Sequence, residues 1–267
     1  MRGGVADMTE ALATLTEQYG LLAMAAAFAV MLFAGFTKGA VGFGLPMISI
    51  SGIGSVFPAE ITIACLILPG LITNIWQSLR GGIGPAWKST KVYWRLNIVL
   101  LTSIYIFAQL VVIISETALF IILGVGITLF VSLQIIGWAP HIPARLSKKV
   151  QPAVGLVAGF FGGISGVWGP PILLYLLSQK VPKIEMVRVQ GISFLIGAVV
   201  LTGAHLQSGL LNDLTIPLSL WMIFPALAGM AIGFKVQDRL DQEKFRKITL
   251  IVLALAALNL LRRGLIG

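Results

Sequence analysis

Only one cysteine, Cys65, occurs in 267 residues, so no disulfide can form within the chain. Histidine is nearly as scarce. His141 and His205 lie near the ends of apolar stretches, and neither has a Cys, His or carboxylate companion at metal-ligand spacing. No metal site is expected, and both histidines are read as structural. Acidic residues number ten, and few fall inside apolar stretches, which leaves little material for a buried carboxylate relay. There is no P-loop, no pair of catalytic carboxylates and no nucleophile elbow; Gly163-Ile164-Ser165-Gly166 lacks the G-x-S-x-G spacing. Neither an enzyme nor a cofactor is expected.

Charge as a whole is sparse. Charged residues make up 11% of the chain against 57% hydrophobic residues, and the mean hydropathy is +0.96. That is more apolar surface than a soluble fold of this size can bury, so the chain reads as an all-α polytopic membrane protein in a lipid bilayer. The net charge of +9 gathers in short loops between apolar spans, where it anchors topology and does not point to nucleic acid. A secretory signal is also missing, since Arg2 is followed by Asp7, Glu10 and Glu17. Met8, Ala11, Leu12 and Leu15 instead fall on one helical face behind Asp7 as an N-cap, which predicts a surface helix within residues 1–20.

What the chain does have is an internal repeat. Gly35 through Pro46 and Gly159 through Pro170 are matching Gly-rich stretches in apolar sequence, and a shift of 124 residues also carries Phe36 onto Phe160, Ile48 onto Ile172 and Pro58 onto Pro182. Interrupted apolar segments at corresponding positions of two halves are the sequence sign of a secondary transporter's binding site. The division expected is residues 21–138 for the first repeat, 139–149 for a basic linker holding Arg145, Lys148 and Lys149, and 150–267 for the second repeat.

Ten apolar segments fall into two sets of five: 21–34, 45–57, 61–79, 94–114 and 117–137, then 150–162, 170–179, 184–204, 214–234 and 245–263. The last three of each set are long enough, at ~1.5 Å per residue, to cross a ~30 Å hydrocarbon core. The first two of each set suit half-spans, which predicts a re-entrant hairpin followed by three crossings. Three crossings per half require the second half to be inverted. Loop charge agrees: Arg80, Lys88, Lys91 and Arg95 follow the third segment, whereas its counterpart carries only Asp213. After the fourth segment the bias reverses, from Glu116 alone to Lys235, Arg239, Lys244, Arg246 and Lys247. The positive-inside rule places the N-terminus and residues 57–60 outside, with 80–95, 138–150, 180–188 and 235–247 inside. Arg262 and Arg263 run against this pattern and are outvoted.

Backbone freed by a glycine turn is tolerable in a membrane only when buried in protein or lining a wet cavity. The helix that begins after such a turn presents unpaired N–H groups and a positive dipole end, which suits an anion. Pro46 and Pro170 stand at those starts, and Gly39, Gly42, Gly44, Gly163, Gly166 and Gly169 let a ligand approach the main chain. The polar candidates are Thr37, Lys38 and Ser165 at the turns, Asn74 and Gln77 one helical turn apart in the third segment, and Gln190 with Ser193 in the eighth. Lys38 either attracts an anion or relays a proton, or it snorkels to the interface. The amides and serines are equally suited to interhelical hydrogen bonds. Trp168 covers a ligand or fills space, with packing preferred.

The two turns resemble those of the sulfite exporter TauE/SafE family, also described as the toluenesulfonate uptake permeases. The resemblance rests on Gly35 through Pro46 with Leu68-Pro69 and Asn74 downstream, and on Gly155 through Pro171 with Gly191 downstream, and it spans about residues 20–263. It implies transport of sulfite, organosulfonates or related small sulfur anions across a bacterial inner membrane, with export the common assignment. The helix termini argue independently for an anion; only the resemblance argues for sulfur. Coupling is expected to come from a proton, from sodium or from the substrate's own gradient. A small-anion channel or uptake permease on the same fold, handling a carboxylate or inorganic oxyanion, is the alternative. The oligomeric state is left open, a homodimer included.

Overall fold

The computed structural model describes residues 3–108, 142–165 and 168–241, with scattered positions between 118 and 136 and between 243 and 265. Regular structure among the described residues is all helical. The helices are α1 (Gly3–Tyr19), α2 (Leu21–Val41), α3 (Leu45–Ile53), α4 (Ala59–Ser78), α5 (Ile83–Val92), α6 (Trp94–Ala108), α7 (Ala144–Ser165), α8 (Gly169–Ser178), α9 (Lys183–Gln207) and α10 (Thr215–Arg239). Four of them, α2, α4, α9 and α10, are long and apolar enough to cross a membrane, and α6 is a shorter apolar helix. The chain is a multi-pass membrane protein. The fifth and tenth apolar segments lie largely outside the described residues.

One expectation is revised at once. The first member of each short pair is longer than the sequence suggested: α2 runs through Gly35, Thr37, Lys38 and Gly39 to Val41, and α7 reaches Ser165. At ~1.5 Å per residue α2 is about 31 Å long, the length of a crossing and not of a half-span. The second members are short as expected, with nine residues in α3 and ten in α8. The reason lies in the packing of α2. Gly35 and Gly39 form a G-x-x-x-G face, and Gly229 and Gly233 form another on α10. A methyl on Gly35 would overlap the carbonyl oxygen of Ala226, one on Gly39 that of Met230, one on Gly229 that of Leu32 and one on Gly233 that of Phe36. These glycines let two backbones touch. They do not break the helix.

The chain divides into two compact units, one comprising Met1–Ala40, Gly44–Asn74 and Ala198–Arg239, the other Val41–Phe43, Ile75–Gly197 and Leu240–Gly267. In the first unit the α2/α10 contact sits in a core of Leu15, Met24, Met31, Leu45, Ile53, Phe57, Leu218 and Met222. Leu15 is fully buried there, and α1 packs against α10. The Leu68 amide, one residue before the helix-interior Pro69, donates to Ser219 Oγ at 3.2 Å.

In the second unit α6 lies along α7. Gly155 makes the approach possible, because a methyl there would stand 2.6 Å from the Leu96 carbonyl oxygen. α7 and α8 form a hairpin tied at its open end by Tyr175, whose hydroxyl lies 2.8 Å from Ser147 Oγ and accepts from Gln151 Nε2 at 3.3 Å. The basic stretch 80–95, read from sequence as a loop, folds as α5 and the start of α6.

Candidate substrate site

In the second unit the chain turns at Gly42, whose φ of 90° lies in the left-handed region that a side chain disfavours. Its carbonyl oxygen accepts a hydrogen bond from Gln77 Nε2 at 2.7 Å. The same Nε2 donates to the Val187 carbonyl at 2.8 Å, so both amide hydrogens of Gln77 are used. Gln77 is fully buried, and its Oε1 has no partner. Gln190, one helical turn after Val187, is also fully buried, and neither its Nε2 nor its Oε1 has a partner. The amide abuts the turn, since a methyl on Gly42 would come within 3.0 Å of Gln190 Oε1. Gly191 brings α9 this close to α4, because a methyl there would stand 2.7 Å from the Ser78 amide nitrogen.

Three buried polar atoms without partners are costly, at about 1–3 kcal/mol each, and buried polar groups in native proteins are nearly always paired. The three atoms supply one donor group and two acceptors. A small oxyanion would take the donor. A hydroxyl, a water or a cation would take the acceptors.

The second Gly-rich stretch meets the first in the same unit. Gly169 opens α8, with Pro170 at its second position and Trp168 before it. A methyl on Gly169 would lie 3.5 Å from Phe43 Cβ and 3.3 Å from the ring of Phe194. Trp168 is buried, its ring 5.8 Å from that of Phe194, and it lodges against Gly162 and Gly197, where a methyl would come within 2.6 and 2.8 Å of the indole. This placement is that of a space-filling side chain. Gly163 is the third-last residue of α7 and Ser165 the last; Gly166 and the side chain of Ser165 lie outside the described residues. Ser193, one turn beyond Gln190, donates to Asn97 Oδ1 at 2.7 Å, and Asn97 Nδ2 is buried without a partner.

The first unit holds a separate polar cluster. Lys38 is 2% exposed, in the last turn of α2. Its Nζ donates to Thr73 Oγ1 at 2.9 Å and to Asn74 Oδ1. Both partners are neutral, and Thr73 Oγ1 in turn donates to the Pro69 carbonyl at 2.6 Å. Thr37 is buried but turns its hydroxyl back to the Phe33 carbonyl at 3.0 Å, which satisfies the donor within α2. Gly44, with φ 100°, precedes α3 and has Pro46 two residues on; a methyl there would touch Thr37 Cγ2 at 3.4 Å.

Of the residues singled out from sequence, Gly42, Gln77 and Gln190 come together, as do Lys38 and Asn74 with Thr37 nearby in the chain. Gly39 is absorbed by helix packing. Thr73, Asn97 and the Val187 carbonyl were missed. A threonine beside a predicted site residue, or a lone asparagine at the start of an apolar segment just after a basic stretch, carries no periodic or motif signal, and a carbonyl carries none at all. No cluster of three or more His, Cys, Asp or Glu side chains is placed to hold a metal ion among the described residues.

No curated protein and no solved structure matches the chain. The family model described as Sulfite exporter TauE/SafE matches residues 27–260, which include both Gly-rich stretches and every buried amide described above, and the chain belongs to that family of membrane transporters.

Proposed function

We propose that this protein is a secondary carrier that moves sulfite or a small organosulfonate out of the cell across the inner membrane. The observation that carries the reading is the fully buried Gln190, whose amide pairs with nothing and abuts the left-handed turn at Gly42. A side chain in that state is poised for a ligand. An amide of either orientation presents one donor and one acceptor, so a sulfur oxyanion can accept from Gln190 while a hydroxyl, water or coupling sodium donates to, or is held by, the free Gln77 and Gln190 oxygens. The family membership supplies the sulfur; the geometry supports a small polar ligand.

Lys38 has its own part in this reading. A buried ammonium that donates to two neutral oxygens has one N–H left, and it attracts an anion or passes on a proton during the cycle. Loop charge, independently of segment length, supports insertion of the two repeats with opposite orientation, with the N-terminus outside and the basic stretches 80–95, 180–188 and 235–247 inside. Alternating access then exposes the turn at Gly42 to one side at a time.

Reconstituted liposomes test the assignment. Uptake of labelled sulfite, sulfoacetate, taurine and acetate under imposed proton and sodium gradients is expected to saturate with a sulfur anion and to show counterflow. Flux that follows voltage without saturation or counterflow would make the protein a channel.

A further inference from the structure

The second unit also carries a cleft of about 540 Å³ that the transport reading does not use. Its wall holds Trp87, Lys88, Lys91, Trp94, Arg95 and Lys148, four cations and two indoles with no carboxylate among the lining residues. Three of the cations come from α5 and the first turn of α6, and Lys148 comes from the first turns of α7. Among the described residues none of the four is engaged in an ion pair. The indoles hold two of the cations in place: Lys91 Nζ stands 5.1 Å from the centre of the Trp87 ring, and the Arg95 guanidinium 4.9 Å from that of Trp94. Such contacts orient a cation without neutralising it.

The cleft is bordered by apolar surface. Ile83 is 78% exposed, Trp87 61% and Trp94 47%, while Ala86 and Ser89 on the other face of α5 are buried. A short helix with one buried face, exposed indoles and lysines beside them is built for the boundary between headgroups and acyl chains. Four uncompensated cations beside exposed indoles suit an anion that also has an apolar body. A basic pocket between helices at the inner face of a membrane is where an acidic headgroup binds. We propose that this cleft binds an anionic phospholipid, its phosphate held by Lys88, Lys91, Arg95 and Lys148 and its glycerol and upper acyl chains lying on Trp87, Trp94 and Ile83. The lipid fixes the α5–α6 corner against α7, and it does so whichever anion the protein transports.

Tryptophan quenching by brominated lipids tests this on the full chain reconstituted in phosphatidylcholine vesicles. Brominated phosphatidylglycerol, at equal mole fraction, is expected to quench more than brominated phosphatidylcholine, and the excess to disappear in a Trp87→Phe/Trp94→Phe variant. Lys148→Gln, an exposed change with little bearing on folding, is expected to weaken the phosphatidylglycerol preference by about fivefold, and Lys88→Gln/Lys91→Gln/Arg95→Gln to weaken it further by a similar factor per charge. Lys235→Gln, a basic residue on α10, is expected to leave it unchanged. Equal quenching by the two lipids would overturn the proposal, as would a preference that survives both Lys148→Gln and the triple substitution. Displacement of the quencher by inorganic phosphate or sulfite at constant ionic strength would assign the cleft to a soluble anion instead.

Discussion

Gln77 Nε2 donates to the Gly42 carbonyl at 2.7 Å, joining the C-terminal end of α4 to the turn that ends α2. Because the same nitrogen also holds the Val187 carbonyl, one side chain fixes the turn and the start of α9 together. The Gln77 oxygen is left over, and Gln190 brings a second amide to the same turn with nothing for it to bind. Gln77 thus positions the turn with its nitrogen, and the two glutamines leave three unpaired atoms beside it.

Gly42→Ala is predicted to damage the turn. A Cβ there forces an L-residue to φ 90° and crowds Gln190 Oε1 and Val187 Cγ2, both at 3.0 Å. The left-handed backbone alone costs about 1–2 kcal/mol. A lowered melting temperature in detergent, accompanied by loss of transport, is the expected result.

Gly229→Leu is predicted to cost more, because it meets the backbone of α2 at Leu32 and Phe36 and not a movable side chain. Overpacking of this kind costs about 1–3 kcal/mol where neighbours can shift, and here they are main chain. Failure to accumulate as folded protein, read by size-exclusion chromatography, is expected. Gly203→Leu, where the glycine faces open space, serves as the tolerant comparison.

Lys38→Met keeps the unbranched shape of the side chain, one atom shorter, and removes its charge. Thr73 retains its bond to the Pro69 carbonyl while Asn74 Oδ1 loses its donor, so a loss of about 1–3 kcal/mol is predicted, with folded protein still recovered. Transport is predicted to fall by an order of magnitude or more. Wild-type rates in this variant would leave Lys38 with a structural role alone.

Orientation is testable with thiols, because Cys65 is buried and silent toward polar reagents. Trp87→Cys, on the exposed face of α5, and Ser208→Cys, in the turn after α9, occupy stretches that correspond under the repeat. Impermeant maleimide on intact cells is predicted to label position 208 and to reach position 87 only after permeabilisation. Labelling of both from the same side would remove the inversion.

Much of this was legible in the sequence, for identifiable reasons. Pro46 and Pro170 marked two helix starts because proline lacks only an N–H that a first turn leaves unpaired. Asn74, Gln77 and Gln190 stood out because an amide inside an apolar span is expensive unless it is buried with partners or a ligand. Gly35 and Gly39 misled, since a glycine that lets helices touch and a glycine that ends a helix look alike until the partner face, Gly229 and Gly233, is placed opposite. The helix α5 was hidden by Gly81, Gly82 and the surrounding lysines, which read as a loop. The pairing of Lys38 with Thr73 joins residues 35 apart in sequence and leaves no periodic trace.

Gln190→Leu tests the central claim most directly, with melting temperature and sulfite uptake measured on the same preparation. Replacing an amide that has no partners by an apolar side chain of similar size removes two unsatisfied buried atoms, so the account predicts a melting temperature unchanged or raised while saturable uptake is lost. Uptake at the wild-type rate in a stable Gln190→Leu protein would contradict it.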